Sequence, residues 1–287
     1  LSYRFDGRVA VVTGAGRGIG RAYAQLLAER GATVVVNDVD AEPAAAVTGE
    51  IVEGHGTAIA DTNDVASKEG ADALIASALD GFGRLDILIN NAGIIRWGGM
   101  PEVDGDNLAQ HLAVHVGGSF NTTRAAWPHM VERRYGRIVM TTSSGMFGLP
   151  NNTSYAAAKG AVVGLGRSLA TAGANLGIKV NLIAPGAFTR MGGRGPAPPQ
   201  MEPELVAPMA AFLAHEDCPV TGEIYAAGFG RFARMFIGQS KGWIGSQPTI
   251  EDVAAHWDAV NDETGYYVPA DLTSWSDAFM DHLNPKD

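Results

Sequence analysis

Arg8 to Thr13 (RVAVVT) is a short apolar run rich in β-branched residues, and it passes directly into Gly-Ala-Gly-Arg-Gly-Ile-Gly at positions 14–20. The run reads as a buried strand, and Arg21 to Arg30 reads as a helix closed by Gly31. Glycines in a strand-to-helix turn let the backbone approach a pyrophosphate, while the helix N-terminus supplies amide donors and positive dipole. Placed in the first β–α–β unit, Gly14, Arg17, Gly18, Ile19 and Gly20 therefore point to dinucleotide binding. This feature constrains the chain more than any other, because it demands a parallel, crossover-connected sheet around it.

The rest of the chain supplies that sheet. Thr33 to Asn37 (TVVVN), Ala58 to Ala60, Asp86 to Asn90, Arg137 to Thr141 and Lys179 to Ala184 read as strands. Between them lie helical stretches near 71–79, over 107–132 and around Tyr155. Alternation of this kind gives an α/β fold, a doubly wound parallel sheet with helices on both faces. Glu204 to His215 is a further helix candidate and Glu223 to Ala227 a last short strand. We read residues 1–287 as one domain, with a core over 5–228 and an aromatic-rich extension over 229–287. In that extension Thr249 to Asp252 has the form of a capping box, followed by an apolar stripe of Val253, Trp257 and Val260. Met191 to Pro203 is so dense in glycine and proline that no regular element fits, and a loop of this length reads as a functional lid or a disordered segment.

Composition narrows the partners. A formal net charge of -10 argues against nucleic acid and anionic membrane surfaces. No apolar run approaches the roughly 18 residues that indicate a membrane span. The single cysteine, Cys218, has no internal partner, which fits a reducing compartment, read here as the cytoplasm. No metal-ligand pattern is present, so no metal is expected.

Tyr155 and Lys159 are four apart on a helical stretch whose intervening residues are all alanine, which stacks them on one face. An ammonium beside a phenol favours the phenolate, which would lower the tyrosine pKa and make it a general acid or base for a carbonyl or hydroxyl. Asp38 ends the second strand, eighteen residues after Gly20. A carboxylate there accepts hydrogen bonds from ribose hydroxyls and repels a 2′-phosphate, favouring NAD(H) over NADP(H). Arg17 pulls weakly the other way.

Thr13 to Gly20, Asn90-Asn91-Ala92-Gly93, a Ser/Thr cluster ahead of Tyr-x-x-x-Lys, and Pro185-Gly186 occur in one order across about residues 5–228. In this combination the sequence resembles the short-chain dehydrogenase/reductase family. That resemblance implies a doubly wound Rossmann fold, a seven-stranded parallel sheet in a single domain, and an enzyme interconverting a secondary alcohol and a ketone. It implies that Asp61 and Thr62 border the adenine, that Asn91, Ala92 and Gly93 line the cofactor groove, and that Pro185, Gly186, Phe188 and Thr189 hold the nicotinamide amide. It assigns Tyr155 the proton transfer and Lys159 the ribose. A serine orients the substrate oxygen; the strand end selects Ser143, with Ser144 second and Thr142 third, since counting back from Tyr155 lands on Thr142. His115 stands where the family often has an asparagine whose backbone carbonyl supports a proton relay, and Gly117-Gly118 fits a kink beside it. The resemblance also implies a homodimer or homotetramer paired through the long helix and the Tyr155 helix.

His115-Val-Gly-Gly-Ser-Phe120, Thr123-Arg-Ala-Ala-Trp127 and Gly242-Trp-Ile-Gly245 extend the likeness. They are similar to the (3R)-hydroxyacyl-CoA dehydrogenase domains of peroxisomal multifunctional enzymes type 2, which implies a 3-hydroxyacyl thioester. Trp97 departs from the aspartate common there, and Arg96 and Arg194 are candidates for meeting a substrate anion. The alternatives are an NADPH-dependent 3-oxoacyl reductase and, from another class, a dinucleotide-sensing module without turnover.

Overall fold

The computed structural model describes residues 3–189 and 197–283. Arg194 and the first part of the Met191 to Pro203 loop, up to residue 196, lie outside the described residues. The chain separates into two compact units, 1–234 and 235–287.

The first unit is built on a sheet in the order β3-β2-β1-β4-β5-β6-β7-β8. Its strands are β1 (Val9–Thr13), β2 (Thr33–Asn37), β3 (Thr57–Asp61), β4 (Ile87–Asn90), β5 (Gly136–Thr141), β6 (Ile178–Gly186), β7 (Ile224–Gly228) and β8 (Arg231–Met235). Strands β1 to β7 are parallel. The order reverses at β1, between β2 and β4, and a crevice at such a switch point is where ligands of open α/β sheets bind.

The helices are α1 (Gly18–Glu29), α2 (Ala41–Glu53), α3 (Lys68–Phe82), α4 (Gly105–His111), α5 (Gly118–Arg133), α6 (Thr153–Gly173) and α7 (Ala207–Ala214). Alternate strand residues make two cores. Ala10, Val12, Val34, Val36, Ile89 and Val139 face α1, α2 and α7 in one buried cluster. On the opposite face Val11, Val35, Leu88, Ile138, Met140 and Leu182 are buried as well. Burial on both faces explains why these strands are continuous apolar runs rather than alternating ones. Gly166 of α6 lies against Leu182 so closely that a Cβ there would stand 3.0 Å from it, so this glycine sets how near the Tyr155 helix approaches the sheet.

The sheet has eight strands, one more than the family resemblance implies. After β7 the chain turns through Phe229 and Gly230, both at positive φ (56° and 74°), the two-residue geometry whose twist suits a hairpin. The short charged run RFARM then joins the sheet edge, a stretch whose arginines hide it from a search for apolar strands.

The long stretch read as one helix over 107–132 resolves into α4, a π-helical turn at Leu112–Gly117, and α5. The π turn carries His115, and such turns insert where a helix must bulge. Helix 204–215 likewise divides into a 3₁₀ turn at Pro203–Leu205 and α7, and a second 3₁₀ turn spans Pro199–Met201.

The second unit carries α8 (Ile250–Ala255), α9 (Trp257–Asn261) and α10 (Leu272–Phe279). Thr249 and Asp252 form a reciprocal capping box on α8, and Asp271 with Ser274 does the same for α10. Its aromatics stack in pairs, Phe236 on Tyr266, Trp243 on His256 and Trp275 on Phe279.

Candidate active site

The carboxyl end of β1 turns at Gly14 (φ +61°) and enters α1 at Gly18 (φ +53°), conformations that favour glycine. A Cβ at Gly14 would stand 2.8 Å from the Ala92 Cα, and one at Gly20 would stand 2.2 Å from the Gly14 carbonyl oxygen. The turn is therefore as tight as backbone packing allows. Asn91 locks it, donating from Nδ2 to the carbonyls of Thr13 and Gly14 at 3.1 Å each. Thr13 Oγ1 accepts the amides of Asn91 and Ala92, both at 3.0 Å. This threonine was not singled out from sequence; its place as the last residue of the strand before the glycines is the signal that finds it.

Helix α1 begins with no side-chain cap and no acidic residue in its first turn. Its first-turn amides and dipole are thus left at the switch point without a capping side chain or an acidic residue of the helix itself to absorb them. The glycine turn leaves room at the same place. This is the donor set and the space a pyrophosphate requires, so the residues fit a dinucleotide.

Asp38, at the end of β2, accepts the Gly16 amide at 3.0 Å and the Asp40 amide at 3.1 Å, which fixes its carboxylate over the turn. Arg17 reaches Asp40 at 2.6 Å, an exposed ion pair that engages its guanidinium. Asp61 is buried and held by Asn37 Nδ2 (2.8 Å) and Asn63 (3.0 Å to the amide), while Thr62 beside it is exposed. Gly93 packs so closely on His115 that a Cβ would lie 2.6 Å from the imidazole. Pro185, Gly186, Phe188 and Thr189 continue from the end of β6, and the Phe188 amide donates to the Met201 carbonyl at 2.7 Å. Ile19 is half-buried against the core.

At the carboxyl ends of β5 and α6's first turns, three groups meet. Lys159 is buried and donates from Nζ to the Thr141 carbonyl at 2.7 Å, with Nζ 5.7 Å from the centre of the Tyr155 ring. Burial without a counter-ion lowers its pKa to about 7. Tyr155 is half-buried, and desolvation pushes its phenol up from 10, opposed by a hydrogen bond with the Ser143 hydroxyl. The lowering by Lys159 anticipated from the spacing is thus not realised in the protein alone: with Nζ 5.7 Å from the ring centre, burial decides the direction and only the Ser143 hydroxyl opposes it.

The three hydroxyl candidates are separated by their surroundings. Thr142 is fully buried and donates to the Lys159 carbonyl at 2.8 Å, so its hydroxyl holds α6 to the sheet. Ser144 is exposed. Ser143 is half-buried, accepts the Gly145 amide at 2.9 Å and bonds Tyr155.

His115 lies edge-on to Tyr155 with ring centres 5.5 Å apart. Its Nε2 sits between the Ile94 carbonyl oxygen (2.8 Å) and the Ile94 amide (3.3 Å), so one backbone residue holds the ring in place; the buried Nδ1 has no partner among the described residues. Desolvation and the nearby Lys159 push its pKa down to about 2, so the ring is neutral. Its backbone carbonyl, at the π turn, accepts the Ser119 hydroxyl at 2.7 Å. His111, one turn earlier and fully buried, was missed from sequence. It stacks on His115 (6.0 Å) and meets Tyr155 edge-on (6.2 Å).

The chain's similarities agree with this geometry. Residues 8–194 match the family model for short chain dehydrogenases. The chain is 38% identical to mouse peroxisomal multifunctional enzyme type 2 over 99% of its own length, and it spans 40% of that protein. The full-length peroxisomal multifunctional enzyme type 2 of Drosophila melanogaster superposes with a TM-score of 0.83 and 34% identity, over 98% of this chain and 50% of that one. A 7α-hydroxysteroid dehydrogenase, solved with NADH and 7-oxo glycochenodeoxycholic acid, superposes with a TM-score of 0.74 and 32% identity, over 80% of this chain and 96% of that one. No helix among the described residues is long and apolar enough to cross a membrane, and no group of three or more metal-binding side chains occurs among them. The chain belongs to the short chain dehydrogenases, NAD(P)-dependent oxidoreductases acting on CH–OH groups.

Proposed function

We propose that this protein is an NAD(H)-dependent dehydrogenase that interconverts a secondary alcohol and its ketone, with a 3-hydroxyacyl thioester as the leading substrate. The observation that carries the reading is the Tyr155 phenol on the same side as the Ser143 hydroxyl, both against Gly145, with the buried Lys159 ammonium 5.7 Å from the ring centre. Bound nicotinamide supplies the carbon that takes or gives the hydride. Ser143 donates to the substrate oxygen and orients it. Tyr155 Oη accepts the carbinol proton during oxidation and returns it during reduction. Lys159 commits one N–H to Thr141, leaving two for ribose hydroxyls, and its charge steadies the phenolate as it forms. His115 stands beside Tyr155 as a neutral, polar neighbour and is assigned to the proton path from Lys159.

Gly14, Gly18 and Gly20 with the α1 amides take the pyrophosphate, and Asn91, Ala92 and Gly93 wall the groove. Asp61 and Thr62 are assigned to the adenine, and Pro185 to Thr189 to the nicotinamide amide. Support for NAD(H) over NADP(H) comes from the Asp38 carboxylate, pinned by two amides where a 2′-phosphate would stand, with Arg17 held by Asp40. The substrate reading draws on the likeness to the multifunctional enzymes, of which this chain spans less than half in the mouse case.

An apolar groove of about 480 Å³ runs between α5 and α6, lined by Phe120, Trp127, Pro128, Leu169 and Leu176. It supports pairing of two copies through these helices, as a homodimer or within a homotetramer. Cys218 is free and buried, in keeping with the cytoplasm as the proposed compartment.

The test is a hydride-transfer assay with NAD⁺ and NADP⁺ across a panel of secondary alcohols that includes 3-hydroxyacyl thioesters. Turnover with preference for NAD⁺ is expected. A preference for NADP⁺ would favour the 3-oxoacyl reductase reading, and tight cofactor binding without turnover of any member would favour a sensing module.

A further inference from the structure

The segment leaving β4 is held above the reacting groups by two histidines, and the manner of holding singles out one side chain. Arg96 has both of its backbone polar groups fixed. Its amide donates to His111 Nε2 at 3.2 Å, and its carbonyl accepts from Asn107 Nδ2 at 3.2 Å. His111 Nδ1 in turn lies 2.8 Å from the Asn107 carbonyl, so the ring carries its proton on Nδ1 and presents a bare Nε2 to Arg96. Two residues earlier, the Ile94 carbonyl is bonded by His115. Gly98 then anchors the far end, its amide donating to the Asn151 carbonyl at 2.8 Å, just ahead of the Tyr155 helix.

A backbone so fully pinned would be expected to bury what it carries, yet the Arg96 side chain is exposed. Among the described residues it makes no ion pair, which it shares with Arg30 and Arg231, so what sets it apart is the pinned backbone beside His111 and the Tyr155 ring. A guanidinium on a rigid backbone loses less freedom on meeting an anion, and its fork matches a carboxylate or phosphate in two parallel bonds. In a protein of net charge -10 an anionic substrate is repelled at long range, which makes one locally unopposed cation a discriminating element.

We propose that Arg96 is a specificity-determining residue that binds an oxyanion of the substrate, a carboxylate or phosphate remote from the reacting carbinol. The substrate class is thus an anionic secondary alcohol. This rests on the dehydrogenase reading above, and His111 and Asn107 are the positioning residues that present Arg96.

The experiment compares kcat/KM of the holoenzyme for substrates sharing one 3-hydroxyacyl group. The thioester of coenzyme A carries phosphates, the free 3-hydroxy acid carries a carboxylate, and the N-acetylcysteamine thioester carries neither. Arg96→Gln is expected to reduce the preference for an anionic over the neutral member about ten-fold, chiefly through KM, in keeping with the strength of a charge-assisted pair open to solvent. Whichever anionic member loses most identifies the source of the oxyanion. Arg96→Lys should restore part of the preference. Arg30→Gln makes the same change in net charge at an exposed site outside the cleft and should leave the preference intact. An Arg96→Gln enzyme that discriminates like wild type, or a loss matched by Arg30→Gln, overturns the proposal while leaving the dehydrogenase reading standing. If wild type turns over no member of the panel, the reading itself has failed and the proposal falls with it.

Discussion

Replacing Lys159 by methionine is expected to stabilise the cofactor-free protein and to do so in a pH-dependent way. The side chain is buried, its pKa is lowered from 10.5 to about 7, and among the described residues its hydrogen bond is the 2.7 Å contact to the Thr141 carbonyl. Between those two pH values the unfolded chain binds the proton that the folded chain has released. Wild-type stability contributed by this group therefore rises with pH across that window and is lost as pH falls through 7. At 1.36 kcal/mol per pH unit the burden on the folded state is about 5 kcal/mol at pH 6 and about 2 kcal/mol at pH 9. Methionine has similar length and no charge; leaving the Thr141 carbonyl without its donor offsets about 1 kcal/mol. The variant should thus be more stable by about 4 kcal/mol at pH 6 and about 1 kcal/mol at pH 9. For a domain of this size that corresponds to a Tm advantage shrinking from about 8 °C to about 2 °C. Thermal unfolding of both proteins at the two pH values gives the number, because groups common to both cancel in the difference. A difference that is flat with pH, or a wild type that is the more stable at pH 6, would refute the assignment of Lys159 as a buried, charge-strained group.

Two further predictions concern the cofactor turn. Asp38→Ala should raise NADP⁺ affinity about ten-fold or more by removing a like charge, and should weaken NAD⁺ through the lost ribose contacts; titration with both cofactors measures it. Unchanged NADP⁺ affinity would show that another residue discriminates. Gly20→Ala places a methyl 2.2 Å from the Gly14 carbonyl oxygen, so the turn must open. Destabilisation of about 2 kcal/mol, a Tm loss of about 4 °C, is expected together with weakened binding of either cofactor.

What the sequence made legible is what is local. The glycine turn, Asp38 at a strand end, and Tyr155 four residues before Lys159 are each determined by spacing along one element, and the parallel sheet follows from the alternation of apolar runs. Ser143 could be ranked over Thr142 only by a strand-end count; its neighbours separate them, since Thr142 reaches the Lys159 carbonyl from seventeen positions away. His111 escaped notice because its meaning lies in Arg96 and Asn107, a ring of contacts with no signature in any one stretch. The kink anticipated at Gly117-Gly118 is a π turn that begins at Leu112, and it arises within an unbroken helical pattern. Strand β8 was hidden because its residues are charged and its existence depends on a hairpin turn in which Phe229 adopts positive φ.

In the proposed mechanism a proton moves through the Tyr155 phenol, and Tyr155→Phe tests that step most directly. The substitution removes one oxygen from a half-buried ring packed against His111 and His115, so the fold and cofactor binding should persist. Turnover of an alcohol that wild type oxidises, followed as nicotinamide reduction, should fall by about 10²- to 10⁴-fold in kcat. Turnover within a few-fold of wild type, in a variant that still binds cofactor, would contradict the mechanism.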